Sequence, residues 1–65
     1  MKIDLNKLEL IMAQKIITSD QLAKRSNVAR TTISQIFNGR TEVNPSTLGK
    51  LARSLDVNVE DLWGV

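Results

Sequence analysis

Four side chains on one short segment are equipped for hydrogen bonding: Arg30, Thr31, Ser34 and Gln35. Their spacing puts them on one face of a helix. Arg offers paired donors that suit guanine O6 and N7, Gln matches adenine N6 and N7, and a Thr methyl can meet the thymine methyl. Bond-breaking chemistry has little to work with. The 65 residues contain no histidine and no cysteine, which removes the commonest general base and metal ligand and any disulfide. No glycine-rich phosphate loop is present, and the acids stand near helix ends where capping accounts for them. The expectation is therefore no enzyme, no metal and no other cofactor. The plain alternative is that the four residues are only the solvated side of an amphipathic helix.

The flanking residues supply a frame for that face. Thr18 followed three residues later by Gln21 makes a capping box, and Asp20 suits the positive end of the helix dipole. This helix ends near Ser26. Asn27 follows, and Asn is the non-glycine residue best able to take the left-handed conformation of a sharp turn. Val28 then points back into a core. A further helix runs from about Arg30 to Asn38 with Ile33, Ile36 and Phe37 inward, and Gly39 ends it. Its cap position is Ala29, which cannot cap with its side chain. Two short helices joined this way have the spacing of a helix-turn-helix, whose second helix enters the DNA major groove with its N-terminal residues on base edges.

The remaining helices follow from apolar periodicity. Leu5, Leu8, Ile11 and Met12 share one face of a first helix that ends at Lys15 and begins at Asp4 or at Asn6, where Asn6 and Glu9 form a possible capping box. Leu10 lies off that face, either as an ordinary exposed leucine or as a contact for the C-terminal segment. Arg40 to Val43 form a loop. Asn44 and Pro45 open a fourth helix in the favoured order, with Leu48, Leu51, Ala52 and Leu55 as its buried stripe. Gly49 inside it weakens the helix by about 1 kcal/mol relative to Ala, so close packing against a neighbour is expected there. Asn58 with Asp61 caps a last short helix that ends in Leu62 and Trp63. No strand stands out. The expected fold is all-α, a compact five-helix bundle forming a single domain over residues 1–65.

Composition agrees with a small helical domain. The chain is 42% hydrophobic with Phe37 and Trp63 as its only aromatics, and a length near the lower limit for folding without a staple makes dimerisation a natural gain. The charge is uneven. Residues 13–41 hold five basic residues against Asp20 alone, whereas residues 42–65 are net acidic. A basic middle and an acidic end orient a molecule in the field of a polyanion. No run of eighteen apolar residues and no signal-peptide pattern is present, so a cytoplasmic protein without membrane contact is expected.

The string QLAKRSNVARTTISQIFNGR resembles the helix-turn-helix of the phage-repressor and Cro-like family, also called the xenobiotic-response-element type. Leu22-Ala23, Val28, Ile33-Ser34, Ile36 and Asn38-Gly39-Arg40 carry the likeness. Leu48, Leu51, Ala52, Leu55, Val57 and Val59 extend it, so that it spans about Leu8 to Leu62. The resemblance implies a lambda-repressor-like DNA-binding domain with its motif at the second and third helices. It assigns Arg30, Thr31 and Gln35 to base edges, with Ser34 facing the same groove and serving bases or backbone. Thr18, Ser19, Thr32, Asn38 and Arg40 become the phosphate set, which fixes register and reads no sequence.

The departures are specific. An arginine usual in the family's first helix is Met12 here, and a glutamate usual before Asn-Gly is Phe37. Replacing a buried ion pair by apolar groups is often neutral or stabilising, so the two changes form a consistent swap. The turn glycine is Asn27, and a phosphate-contacting glutamine at the start of the second helix is Ser19. Family members often dimerise through the C-terminal region on half-sites about 34 Å apart. Trp63 and Leu62 are accordingly the expected dimer interface, with Trp63 shared between core and partner. The reading is a sequence-specific transcriptional regulator of the repressor kind, a homodimer on a pseudo-palindromic operator, with no small-molecule ligand. The alternative is an antitoxin-like or other protein-interaction module that kept the fold and lost DNA binding.

Overall fold

Local start and stop signals divide the described residues into four α-helices. The computed structural model describes residues 1–64; Val65, the last residue of the expected domain, lies outside them. A short strand β1 (Lys2–Ile3) precedes α1 (Leu5–Lys15), α2 (Ser19–Ser26), α3 (Arg30–Phe37) and α4 (Pro45–Ser54). A 3-10 turn (Val59–Asp61) and strand β2 (Trp63–Gly64) complete the chain's elements. Asp4 caps α1 by accepting the Lys7 N–H at 3.2 Å, which leaves Asn6 inside the helix and sets aside the Asn6–Glu9 box. Thr18 and Gln21 form the expected capping box on α2. Asn44 caps α4 through the Thr47 N–H at 2.8 Å. Ala29 gives α3 no side-chain cap.

The ends are as local as the starts. Asn27 takes the left-handed conformation, φ 57°, between α2 and α3. Gly39, φ 102°, closes α3 in a Schellman arrangement: the Arg40 N–H bonds the Gln35 carbonyl and the Gly39 N–H bonds the Ile36 carbonyl. Ile16 and Asp56 play the same part after α1 and α4, with φ of 53° and 56°.

The expected five-helix bundle is corrected beyond the end of α4. The segment after Asn58 makes only a three-residue 3-10 turn, so the described residues form four α-helices and not five. Asp61 accepts the Asn58 N–H at 3.1 Å, and the Leu62 N–H reaches back to the Val59 carbonyl at 3.0 Å. Leu62 then enters the core fully buried, and Trp63–Gly64 leave as an extended strand. A helix continued through Leu62 would forgo that strand pairing. The domain is all-α in its core.

The pairing itself is a second correction, since the sequence pattern shows no strand. β1 and β2 are antiparallel, with Ile3 opposite Trp63 and Lys2 opposite Gly64. On the other side of β1, the Ile3 N–H donates to the Thr41 carbonyl at 2.9 Å and the Val43 N–H to the Met1 carbonyl at 2.8 Å. The N-terminal segment thus lies between the α3–α4 loop and the C-terminal segment. The Met1 ammonium stands 2.9 Å from the Glu42 carboxylate and, by hydrogen bond and charge, holds that carboxyl below its usual range.

The core gathers Leu8, Leu22, Ile36, Leu48, Leu51, Leu55 and Leu62, all essentially inaccessible, with Ile3 from β1 joining them. Helix α2 packs on both α3 and α4, so α2 and α3 are seated on a buried leucine layer. Gly49 is not a close contact: a Cβ there would meet nothing within 4 Å. Close approach occurs instead at Gly64, where a Cβ would lie 3.1 Å from the Asp4 nitrogen. Leu10 is exposed.

Candidate nucleic-acid interface

Helix α3 owes its orientation to three apolar side chains. Ile33 and Ile36 are buried and Phe37 is half-buried against the same core, so the opposite face must point outward. At 3.6 residues per turn, Arg30, Ser34, Thr31 and Gln35 occupy an adjoining arc of about 140°. All four are exposed. Thr32, at the flank of this arc, is half-buried. The four residues therefore form one contiguous polar stripe along two turns of the helix.

Two further groups border the stripe. Thr18 and Ser19 are exposed at the N-terminus of α2, where free N–H groups and the positive dipole end favour anions. Thr18 is also the cap, its hydroxyl oxygen accepting the Gln21 N–H at 3.2 Å, so it serves the helix as well as any outside partner. Asn38 and Arg40 are exposed just past the C-terminus of α3. Their backbone is fixed by the Schellman bonds, and the adjacent Thr41–Val43 segment is tied to β1. Arg40 thus emerges from a loop anchored on both sides.

Between the stripe and the N-terminus of α2 lies an open depression floored by Met12, Ile33 and Phe37. Ser19, Asp20, Arg30, Ser34 and Asn38 rim it. Met12 is buried and Phe37 half-buried along the same depression, which agrees with an apolar exchange at both positions. One rim contact has no counterpart in the sequence reading: Arg30 Nη2 stands 2.7 Å from Asp20 Oδ2. From sequence, Asp20 has only the role of an acid near a helix N-terminus. A ten-residue separation between opposite charges, each in the first turn of its helix, is the signal that could have paired them.

The two expected interface residues at the C-terminus differ in kind. Leu62 is wholly enclosed in the chain's own core and offers no surface to a partner. Trp63 is 46% exposed on β2, which leaves it alone to carry that expectation.

The helix-turn-helix family model matches residues 8–62, from within α1 to the last core leucine. The chain belongs to this helix-turn-helix family. No curated protein and no solved structure matches the chain closely enough to extend that assignment. The helix-turn-helix domain agrees with Cro- and CI-type regulators in general, and its motif is consistent with DNA binding. A regulatory protein fits a family of this kind. Among the described residues no cluster of acids could hold a metal ion, and no helix is long and apolar enough to cross a membrane.

Proposed function

We propose that this helix-turn-helix domain is a sequence-specific double-stranded DNA-binding regulator of the repressor kind, with α3 in the major groove. The observation that carries the reading is the contiguous exposed stripe of Arg30, Thr31, Ser34 and Gln35, aimed outward by the burial of Ile33 and Ile36. Arg30 supplies a paired-donor pattern and Gln35 a donor–acceptor pattern that discriminate base pairs, Thr31 a methyl and a hydroxyl, and Ser34 a hydroxyl for base or backbone. Thr18, Ser19, Thr32, Asn38 and Arg40 set the register by phosphate contact. Repression follows from occupancy of an operator, with two copies meeting through Trp63 on a pseudo-palindrome.

Selection of binding sites from a random duplex pool, repeated at two salt concentrations, tests this. The expected result is an enriched pseudo-palindrome whose half-sites are one helical turn apart. Binding that is blind to sequence and vanishes with salt would instead be plain polyanion attraction and would end the proposal.

A further inference from the structure

Asp20 belongs to neither the base set nor the phosphate set, yet its carboxylate contacts the foremost candidate for base reading. The Asp20–Arg30 pair joins the first turn of α2 to the first residue of α3 at 2.7 Å. Both side chains are 66% exposed. An ion pair so exposed contributes little to stability, so holding the two helices together is a poor account of it. Asp20 is already well placed without a partner, since a carboxylate suits the positive N-terminal end of α2. Arg30 is not. It is a cation at the positive end of α3, behind Ala29, which supplies no cap.

An unrestrained arginine beside DNA is drawn to the nearest phosphate, a contact that strengthens binding to any duplex and carries no sequence information. The observed pair counters that pull in two ways. The closest approach is Nη2 to Oδ2, and because Nη2 carries two hydrogens, one given to Asp20 leaves the other to fork with Nη1 or Nε at a base edge. Moving Arg30 to a phosphate would also strip Asp20 of its counter-charge and leave a bare carboxylate facing the polyanion. Reading a base in place requires neither change.

We infer that Asp20 is a positioning residue for base reading: by pairing with Arg30 it keeps the guanidinium at the base edges and off the phosphates, and so sets the ratio of specific to non-specific binding. This rests on the base-reading role proposed for Arg30. Asp20 acts through that side chain and touches no base itself.

The test measures affinity for the enriched duplex and for a scrambled duplex across a salt series. The chains compared are wild type, Asp20→Asn, Asp20→Glu, Arg30→Ala and the double variant Asp20→Asn with Arg30→Ala, each checked for folding by thermal unfolding. Asp20→Asn is expected to tighten scrambled-duplex binding and to lower the specificity ratio by about three- to tenfold. Its salt dependence on scrambled DNA should steepen by about one phosphate's worth of counterion release. Asp20→Glu, which keeps the charge on a longer arm, should recover most of the ratio. In the Arg30→Ala background, Asp20→Asn should leave the ratio unchanged.

The outcomes separate the two ideas. A wild-type chain that binds both duplexes equally sinks base reading and this inference together. A wild-type chain that discriminates, an Arg30→Ala variant with a reduced ratio, and an Asp20→Asn variant that keeps the full ratio would overturn the role of Asp20 alone. An equal loss of ratio from Asp20→Asn with and without Arg30 would mean bulk charge and would also overturn it.

Discussion

At the scale of single residues, the stripe on α3 and the loop after it have different proposed roles on DNA. On the proposed reading Arg30, exposed at the first residue of α3, meets a base edge, and Arg40, exposed beyond the C-terminus of α3, meets the backbone. Arg30→Ala should lower affinity for the cognate duplex by about 1–3 kcal/mol and relax preference at one base pair. Arg40→Ala should weaken all duplexes alike and flatten the salt dependence by about one contact. Binding isotherms on a panel of single-base variants separate these effects. If both variants flatten the salt dependence and neither changes base preference, Arg30 is a phosphate contact. Types and spacing were enough to place Arg30, Thr31, Ser34 and Gln35 on the exposed face of α3, because burial of Ile33 and Ile36 turns the opposite face outward. The Asp20–Arg30 contact was not legible in the same way, since it depends on how two helix N-termini converge in space.

At the scale of elements, the starts of α2 and α4 were legible because each depends on three or four adjacent residues. The start of α1 was open between Asp4 and Asn6 in the sequence, and it is Asp4 that caps it. Thr18 with Gln21 and Asn44 with Thr47 cap as their sequence implies. The ends were legible only where the residue type announces the conformation, as at Asn27 and Gly39. Ile16 announces nothing. It is a β-branched residue at φ 53°, 87% exposed, in a conformation that branched side chains resist. The Schellman bonds from the Ile16 N–H to the Ala13 carbonyl and from the Ile17 N–H to the Met12 carbonyl hold it there. The position is required by the turn from α1 into α2, and the side chain contributes almost no burial in return. Ile16→Gly should therefore stabilise the domain by about 1 kcal/mol, because the strain of a left-handed L-residue is relieved with little packing lost. Urea unfolding reads the change directly, and a lower midpoint for the glycine variant would show that Ile16 contributes packing or that its strain is negligible. The over-long expectation at the C-terminus has the opposite origin. Asn58 and Asp61 do form local bonds, but a start signal sets no length, and the strand pairing of residues 63–64 ends the turn after three residues.

At the scale of the whole molecule, contacts distant in sequence decide what local patterns leave open. Two-residue strands carry no alternation to detect, and β1 and β2 exist because Ile3, Trp63 and the Thr41–Val43 loop are brought together by the helical core. This arrangement gives the adjacent Leu62 and Trp63 opposite duties. Leu62 is buried in the core, while Trp63 pairs its backbone with Ile3 and leaves nearly half of its side chain outside. Leu62→Ala should destabilise the domain by about 2–5 kcal/mol, the range for emptying a buried leucine site. In a domain of this size that is a large share of the total, so the urea midpoint should fall sharply. Trp63→Ala removes no fully buried group and keeps the strand's backbone bonds, so its midpoint should stay near that of the wild type. Its effect is expected on association: sedimentation equilibrium should shift toward the monomer, because an exposed tryptophan beside an edge strand is the apolar surface a second copy can cover. The pair of variants separates folding from assembly. A Trp63→Ala chain that folds and sediments as the wild type does would remove the interface role. A Trp63→Ala chain as unstable as Leu62→Ala would place the indole in the core's service instead.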